Sequence, residues 1–311
     1  MRYSIVVPLY NEEEVINETY KRLKAVMDTL GEEYELVFVN DGSRDRTAEL
    51  VTGICEVDGN VKLLNFSRNF GHQIAVTAGM DYAKGDAIVV IDADLQDPPE
   101  VILSMIEKWK EGFEVVYGKR LKRKGETWFK KLTAKMFYRT LASLTTVDIP
   151  VDAGDFRLID RKVCDALKAL PEQNRYVRGL VSWVGFKQTA VEYVREKRFA
   201  GETKYPLKKM LKFAMDGITS FSYKPLRLAT YVGFFMSVVS FMYLIYVLID
   251  RLLFTDELAI ATGWASIVSI NLFFNGIMLI ILGITGEYIG RIYDEVKRRP
   301  LYIVAETKNL E

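Results

Sequence analysis

The chain has 311 residues, room for one large domain or two smaller ones. Its 42 basic and 41 acidic residues leave a net charge of +1, so no global field draws it to nucleic acid. One histidine, His72, and two distant cysteines, Cys55 and Cys164, argue against a thiolate or imidazole zinc site and leave the chemistry to carboxylates, Arg and Lys.

The apolar run at 3–8 is too short for a signal peptide and predicts a first strand. Then follow a helix over 13–30, a strand over 35–40, a helix over 46–56 and a strand over 61–65. A helix over 72–83, a strand over 87–91, a helix over 99–111 and a strand over 114–118 complete the run. This alternation predicts an α/β domain with a doubly wound, mostly parallel sheet. Polar residues stand where the first four strands end. They are Pro8-Leu9-Tyr10-Asn11-Glu12, Asn40-Asp41-Gly42-Ser43, Ser67-Arg68-Asn69-Phe70-Gly71 and Asp92-Ala93-Asp94-Leu95-Gln96-Asp97-Pro98-Pro99. All four would line one rim, where such sheets bind ligands.

The strand before Asp92 is apolar throughout, as the centre of a parallel sheet requires. Two carboxylates at its end can hold a hard divalent cation, and the cation a diphosphate. An acidic turn that only solubilises a strand end is the competing reading. Asp41 either accepts hydrogen bonds from a base or ribose or caps the next helix. His72 is expected to pack or to cap a helix. Neither a G-x-G-x-x-G after the first strand nor a G-x-x-x-x-G-K-[ST] is present, which removes the best support for dinucleotide or P-loop binding.

Beyond Lys224 the composition changes. Residues 228–249 and 258–286 carry no charge, and each exceeds the roughly 20 residues that cross a bilayer as a helix. Spans are expected at about 228–249 and 262–286. Lys208, Lys209, Lys212, Lys224 and Arg227 precede them, and Arg291, Lys297, Arg298 and Arg299 follow. The connecting loop offers Arg251 against Asp250, Asp256 and Glu257. The positive-inside rule then places both termini and the catalytic part in the cytoplasm, as a two-span protein of the cell membrane. Segments 127–144 and 206–221 are amphipathic at helical spacing, and beside two spans they read as helices lying on the membrane surface. The expected domains are 1–205 catalytic, 206–224 juxtamembrane, 225–290 transmembrane and 291–311 a cytoplasmic tail.

Together these motifs resemble family 2 glycosyltransferases with a GT-A fold. The resemblance is close to polyisoprenyl-phosphate glycosyltransferases of the dolichol-phosphate mannose synthase and bactoprenol glucosyltransferase kind. It covers about residues 1–300. It implies nucleotide binding by Pro8, Tyr10, Glu12 and Asp41, and a Mg²⁺ or Mn²⁺ ion near Asp92, Asp94 and Gln96. The segment Asp152-Ala153-Gly154-Asp155-Phe156-Arg157-Leu158 resembles the family's acceptor-side motif, with Asp155 as candidate base or acceptor-positioning residue. The segment Arg198-Phe199-Ala200-Gly201-Glu202-Thr203-Lys204-Tyr205 resembles its basic loop. Arg198 and Lys204 could clamp the diphosphate, and Arg120, ahead of Lys122, Arg123 and Lys124, the acceptor phosphate.

The reaction so implied is inverting transfer of glucose or N-acetylglucosamine from a UDP-sugar to a polyprenyl phosphate, undecaprenyl phosphate in a bacterium, for cell-envelope glycan modification. A phosphate monoester has a second pKa of about 6, so such an acceptor needs little help from a base. Two spans are too few to enclose a lipid path, so a separate flippase is expected. Gly276, Gly283, Gly286 and Gly290 permit close helix packing and a homo-oligomer. The competing readings are a metal-dependent nucleotidyltransferase and a non-catalytic membrane adaptor that keeps the fold.

Overall fold

The computed structural model describes residues 1–121, 150, 153–196, 222–253 and 263–310. The segments expected as surface helices, 127–144 and 206–221, lie outside them, as do Lys122, Arg123, Lys124, Asp152, Arg198 and Lys204.

The predicted alternation is present. It runs β1 (Tyr3–Leu9), α1 (Ile16–Asp28), β2 (Tyr34–Asn40), α2 (Thr47–Val57), β3 (Val61–Phe66), α3 (His72–Tyr82), β4 (Ala87–Val90), α4 (Val101–Lys110) and β5 (Val115–Arg120). Helix α1 begins three residues later than expected. The reason is local: Glu12 N–H donates to Thr47 Oγ1 at 2.9 Å and Glu13 N–H to an Asp45 carboxylate oxygen at 3.2 Å. These amides are held by the loop after β2 and the first residue of α2, so the first helical turn forms behind them.

Strands β1, β2, β3 and β4 are mutually parallel and run in the order β3-β2-β1-β4. All seven residues of β1 and all seven of β2 are buried, because helices cover both faces. Each fully buried Val, Ile or Leu contributes roughly 1.5–3 kcal/mol of transfer free energy, which makes this sheet the core. The chain starts at β1, moves outward to β3, then returns through α3 to place β4 on the other side of β1. The order therefore reverses between β1 and β4, and the crevice beyond their carboxyl ends is the expected ligand site. Pro8 fits this opening. Strand β4 pairs with β1 only at Tyr3 to Val6, so Pro8 sits where β1 has outrun β4.

Three strands were not predicted. Strand β6 (Ala153–Asp160) enters antiparallel between β4 and β5, and β7 (Gln188–Tyr193) lies parallel beside β5. Between them lie α5 (Arg161–Lys168) and α6 (Val177–Trp183). Two long helices follow, α7 (Lys224–Leu253) and α8 (Trp264–Lys297). Stretches Lys224–Tyr243 and Ile270–Lys297 within them are long and apolar enough to cross a membrane, and almost nothing of either is buried within the chain. The third addition corrects the expected tail: residues after α8 return to the catalytic sheet as β8 (Val304–Lys308), antiparallel to β3. Among the described residues the sheet has eight strands, in the order β7-β5-β6-β4-β1-β2-β3-β8.

Candidate active site

The acidic turn after β4 stands at the reversal point. Asp92, Asp94 and Gln96 are partly exposed there, while Ala93, Leu95 and Asp97 point into the protein. Leu95 takes a left-handed backbone, φ 56°, and Gln96 N–H donates to Asp94 Oδ1 at 3.1 Å. The turn is held from several sides. Thr19 Oγ1 on α1 donates to the Ala93 carbonyl at 2.7 Å, and Glu196 N–H to the Gln96 carbonyl at 2.9 Å.

Asp97 is the anchor of the turn and is 1% exposed. Its carboxylate accepts from the Tyr193 hydroxyl and from Arg120, the latter at 3.1 Å, and lies 3.6 Å from Arg195. Arg120 also donates to the Tyr193 hydroxyl at 3.1 Å. The guanidinium expected to meet an acceptor phosphate is thus engaged at the foot of the acidic turn. It also lies over Gly154, where a Cβ would come within 2.7 Å of it. Tyr193 and Arg195 were not singled out in the sequence. They stand about a hundred residues from Asp97, beyond any spacing argument.

On the other wall, Asp155 on β6 is held firmly. Arg178 on α6 donates Nε to Oδ1 at 2.7 Å and a second nitrogen to Oδ2 at 3.2 Å, a two-point grip. Gln73 donates to Oδ2 at 3.3 Å, and its own side-chain carbonyl accepts from Val177 N–H at 3.0 Å. Beneath this, buried Arg157 donates to the carbonyls of Gly154 at 2.9 Å and Asp155 at 3.4 Å. Burial works against the charged carboxylate, but Arg178 and His72 outweigh it and hold Asp155 well below the ordinary carboxylate range. That direction makes it a weaker proton acceptor and a better electrostatic anchor.

His72 does more than the expected packing or capping. It opens α3, and its Nε2 lies 3.3 Å from Asp155 Oδ2 and 3.6 Å from Asp92 Oδ1. It therefore bridges the acidic turn and the β6 wall. Burial disfavours its charge, yet Asp155 and Asp92 push the imidazole up to about 9. The only histidine of the chain, placed directly after a strand-end turn, was the legible signal for this role.

Asp41 is 3% exposed and faces the loop after β3. Its two carboxylate oxygens accept from Phe70 N–H at 2.6 Å and Gly71 N–H at 3.0 Å. It holds the loop that leads into α3 and does not cap the helix that follows it in sequence. Gly42, with φ 62°, makes this contact possible: a Cβ there would lie 2.5 Å from the Arg68 backbone carbonyl carbon. Across the cleft floor, Asn65 accepts from Asn40, Asn40 accepts from Ser43, and Ser43 accepts from Asn11 N–H. Pro8, Tyr10 and Glu12 border the same opening, Pro8 buried and the other two partly exposed.

A divalent cation fits the donor set in part. Carboxylate and amide oxygens of Asp92, Asp94 and Gln96 suit a hard ion. Burial, with Asp155, Asp94 and Asp97 nearby, raises Asp92 to about 6 despite His72, and a bound cation would relieve that crowding. Among the described residues, however, no three His, Cys, Asp or Glu side chains converge as a complete metal site. The ion would have to take further oxygens from the substrate diphosphate or water.

Residues 4–168 match the glycosyl transferase family 2 model, and residues 224–292 match the model described as the GtrB C-terminal hairpin. The chain belongs to glycosyl transferase family 2, and its sheet is of the GT-A type. It is 67% identical over all 311 residues to an uncharacterized glycosyltransferase, YkcC, of Bacillus subtilis (strain 168), covering 95% of that protein. It is 44% identical over 307 residues to the SfII prophage-derived bactoprenol glucosyl transferase of Shigella flexneri, covering 99% of this chain and 98% of that one. Among solved structures, glucosyl-3-phosphoglycerate synthase from Mycobacterium tuberculosis in complex with UDP matches with TM-score 0.48 and 18% identity, over 70% of this chain and 78% of that chain. The protein is thus a glycosyltransferase, and the nucleotidyltransferase and adaptor readings fall away.

Proposed function

We propose that this enzyme transfers glucose or N-acetylglucosamine, with inversion, from a UDP-sugar to a polyprenyl phosphate at the cytoplasmic membrane face. The observation that carries the reading is the acidic turn at the reversal point of the sheet, in a chain whose apolar helix pair ends by rejoining that sheet. The name of the Shigella relative, a bactoprenol glucosyl transferase similar over nearly the whole chain, supports the lipid acceptor. The flanking cations support a cytoplasmic catalytic domain.

In this reading residues 8–12 and Asp41 border the nucleotide, and Asp92, Asp94 and Gln96 face the diphosphate. When bound there, Mg²⁺ or Mn²⁺ neutralises charge on the leaving nucleoside diphosphate. A bond forms between an acceptor phosphate oxygen and the anomeric carbon, and the bond from that carbon to the diphosphate breaks. The acceptor oxygen is already largely deprotonated at neutral pH. Asp155 therefore serves to orient: it fixes Arg178 and His72 along the wall that faces the acidic turn. Arg178 is 26% exposed and cationic, as a group meeting an incoming phosphate should be.

The test is a donor panel. Purified full-length protein is mixed with polyprenyl phosphate, labelled UDP-glucose, UDP-N-acetylglucosamine or GDP-mannose, and Mn²⁺ or Mg²⁺. Metal-dependent label in lipid from a UDP-sugar is expected. Label from GDP-mannose alone would refute the donor assignment, and label in no lipid the acceptor assignment.

A further inference from the structure

Strand β8 meets β3 at residues whose immediate neighbours build the rim around Asp41. Ser67 N–H donates to the Ile303 carbonyl at 3.0 Å. The Tyr302 ring stacks on Phe66, centroids 5.2 Å apart and planes 15° apart, and its hydroxyl donates to Asp81 on α3 at 3.0 Å. Phe66 packs edge-on against Phe70 at 5.7 Å. The Phe70 amide is one of the two that Asp41 holds. A second route starts at Glu306, which pairs in register with Asn65, the first member of the side-chain relay through Asn40 and Ser43 to Asn11. Helix α8 ends at Lys297, only five residues before Tyr302, so the first route begins close in sequence to the end of an apolar, membrane-length helix.

We propose that Tyr302, with β8, is a positioning residue for the nucleotide-sugar donor. It braces the 67–71 loop against Asp41 from behind and ties the donor side of the cleft to the end of α8. The inference rests on the proposed donor site. Its physical basis is preorganisation: a loop already fixed before binding costs less to order when the donor arrives. Tyr302 acts through Phe66 and Phe70, so its effect belongs to donor binding and leaves acceptor binding alone.

The experiment compares wild type, Tyr302→Ala and Tyr302→Phe as full-length protein in lipid nanodiscs. UDP and UDP-glucose binding, donor and acceptor KM, and amide hydrogen exchange of residues 67–71 are measured. Losing a stacked aromatic contact should raise donor KM and the UDP dissociation constant by about tenfold in Tyr302→Ala. Acceptor KM should stay within about twofold, and exchange at Phe70 and Gly71 should quicken. Tyr302→Phe keeps the stacking and should restore most of the affinity. Unchanged exchange and unchanged donor KM in Tyr302→Ala would overturn the inference, as would an equal rise in both KM values. Wild-type protein that binds no UDP would instead overturn the donor reading, while the exchange data would still decide whether Tyr302 braces the loop.

Discussion

Asp155 receives a two-point grip from Arg178 and further contacts from Gln73 and His72, so it and Arg178 act as one unit. Asp155→Asn and Arg178→Gln should each lower kcat by about 10- to 100-fold, and the double variant should fall little further. Because the acceptor is already deprotonated, Asp155→Asn should keep the wild-type pH profile above pH 7. An activity recovered as pH rises would instead assign Asp155 the base role. Asp92, Asp94 and Gln96 were legible because they fall within eight residues of a buried strand. Gln73, Arg178, Tyr193 and Arg195 were not, because folding brings them in from other elements. His72 and Asp155 stand 83 positions apart, and no spacing rule connects them.

At the scale of elements, the cleft depends on two fixings. The first is Gly42, whose turn packs on the backbone of Arg68 and Asn69. Gly42→Ala adds a Cβ to a left-handed residue in contact with main chain, which should cost about 1–3 kcal/mol and weaken UDP binding. Thermal unfolding and UDP titration check both. The second is Asp97 with Tyr193, Arg120 and Arg195. Asp97→Asn leaves two partly exposed cations, Arg120 and Arg195, facing a neutral amide, and should destabilise the fold by roughly 1–3 kcal/mol in denaturant unfolding. The strands β1 to β5 were legible as short, mainly apolar runs between polar turns. Strand β6 was not, because its Arg157 and Asp155 break the apolar run for reasons of the site. Strands β7 and β8 were hidden by polar residues that suit edges: Gln188, Thr189 and Glu192 on one, and Glu306, Thr307 and Lys308 on the other.

For the whole molecule, β8 constrains how the chain can meet a membrane. The described residues up to Glu196 and those after α8 both belong to the domain that holds the acidic turn, so in the proposed membrane reading the two helices go out and back. Helix α8 continues past its uncharged part by the eleven residues from Glu287 to Lys297, about 15 Å of helix. There Glu295 accepts from Gln173 N–H at 2.8 Å, which fastens the helix end to the catalytic domain. Cysteine labelling in intact cells should therefore reach a residue placed in 254–260 from outside and leave one placed at Glu306 protected. Labelling of both would contradict the topology. The proposed role of the acidic turn at the sheet's reversal point is sugar transfer to lipid phosphate. It is tested most directly by radiolabel transfer from UDP-sugar to polyprenyl phosphate, comparing wild type with Asp94→Ala at equal folded concentration. Chelator-sensitive transfer by wild type is expected, with at least about a hundredfold loss in the variant. Transfer that survives Asp94→Ala undiminished would contradict it.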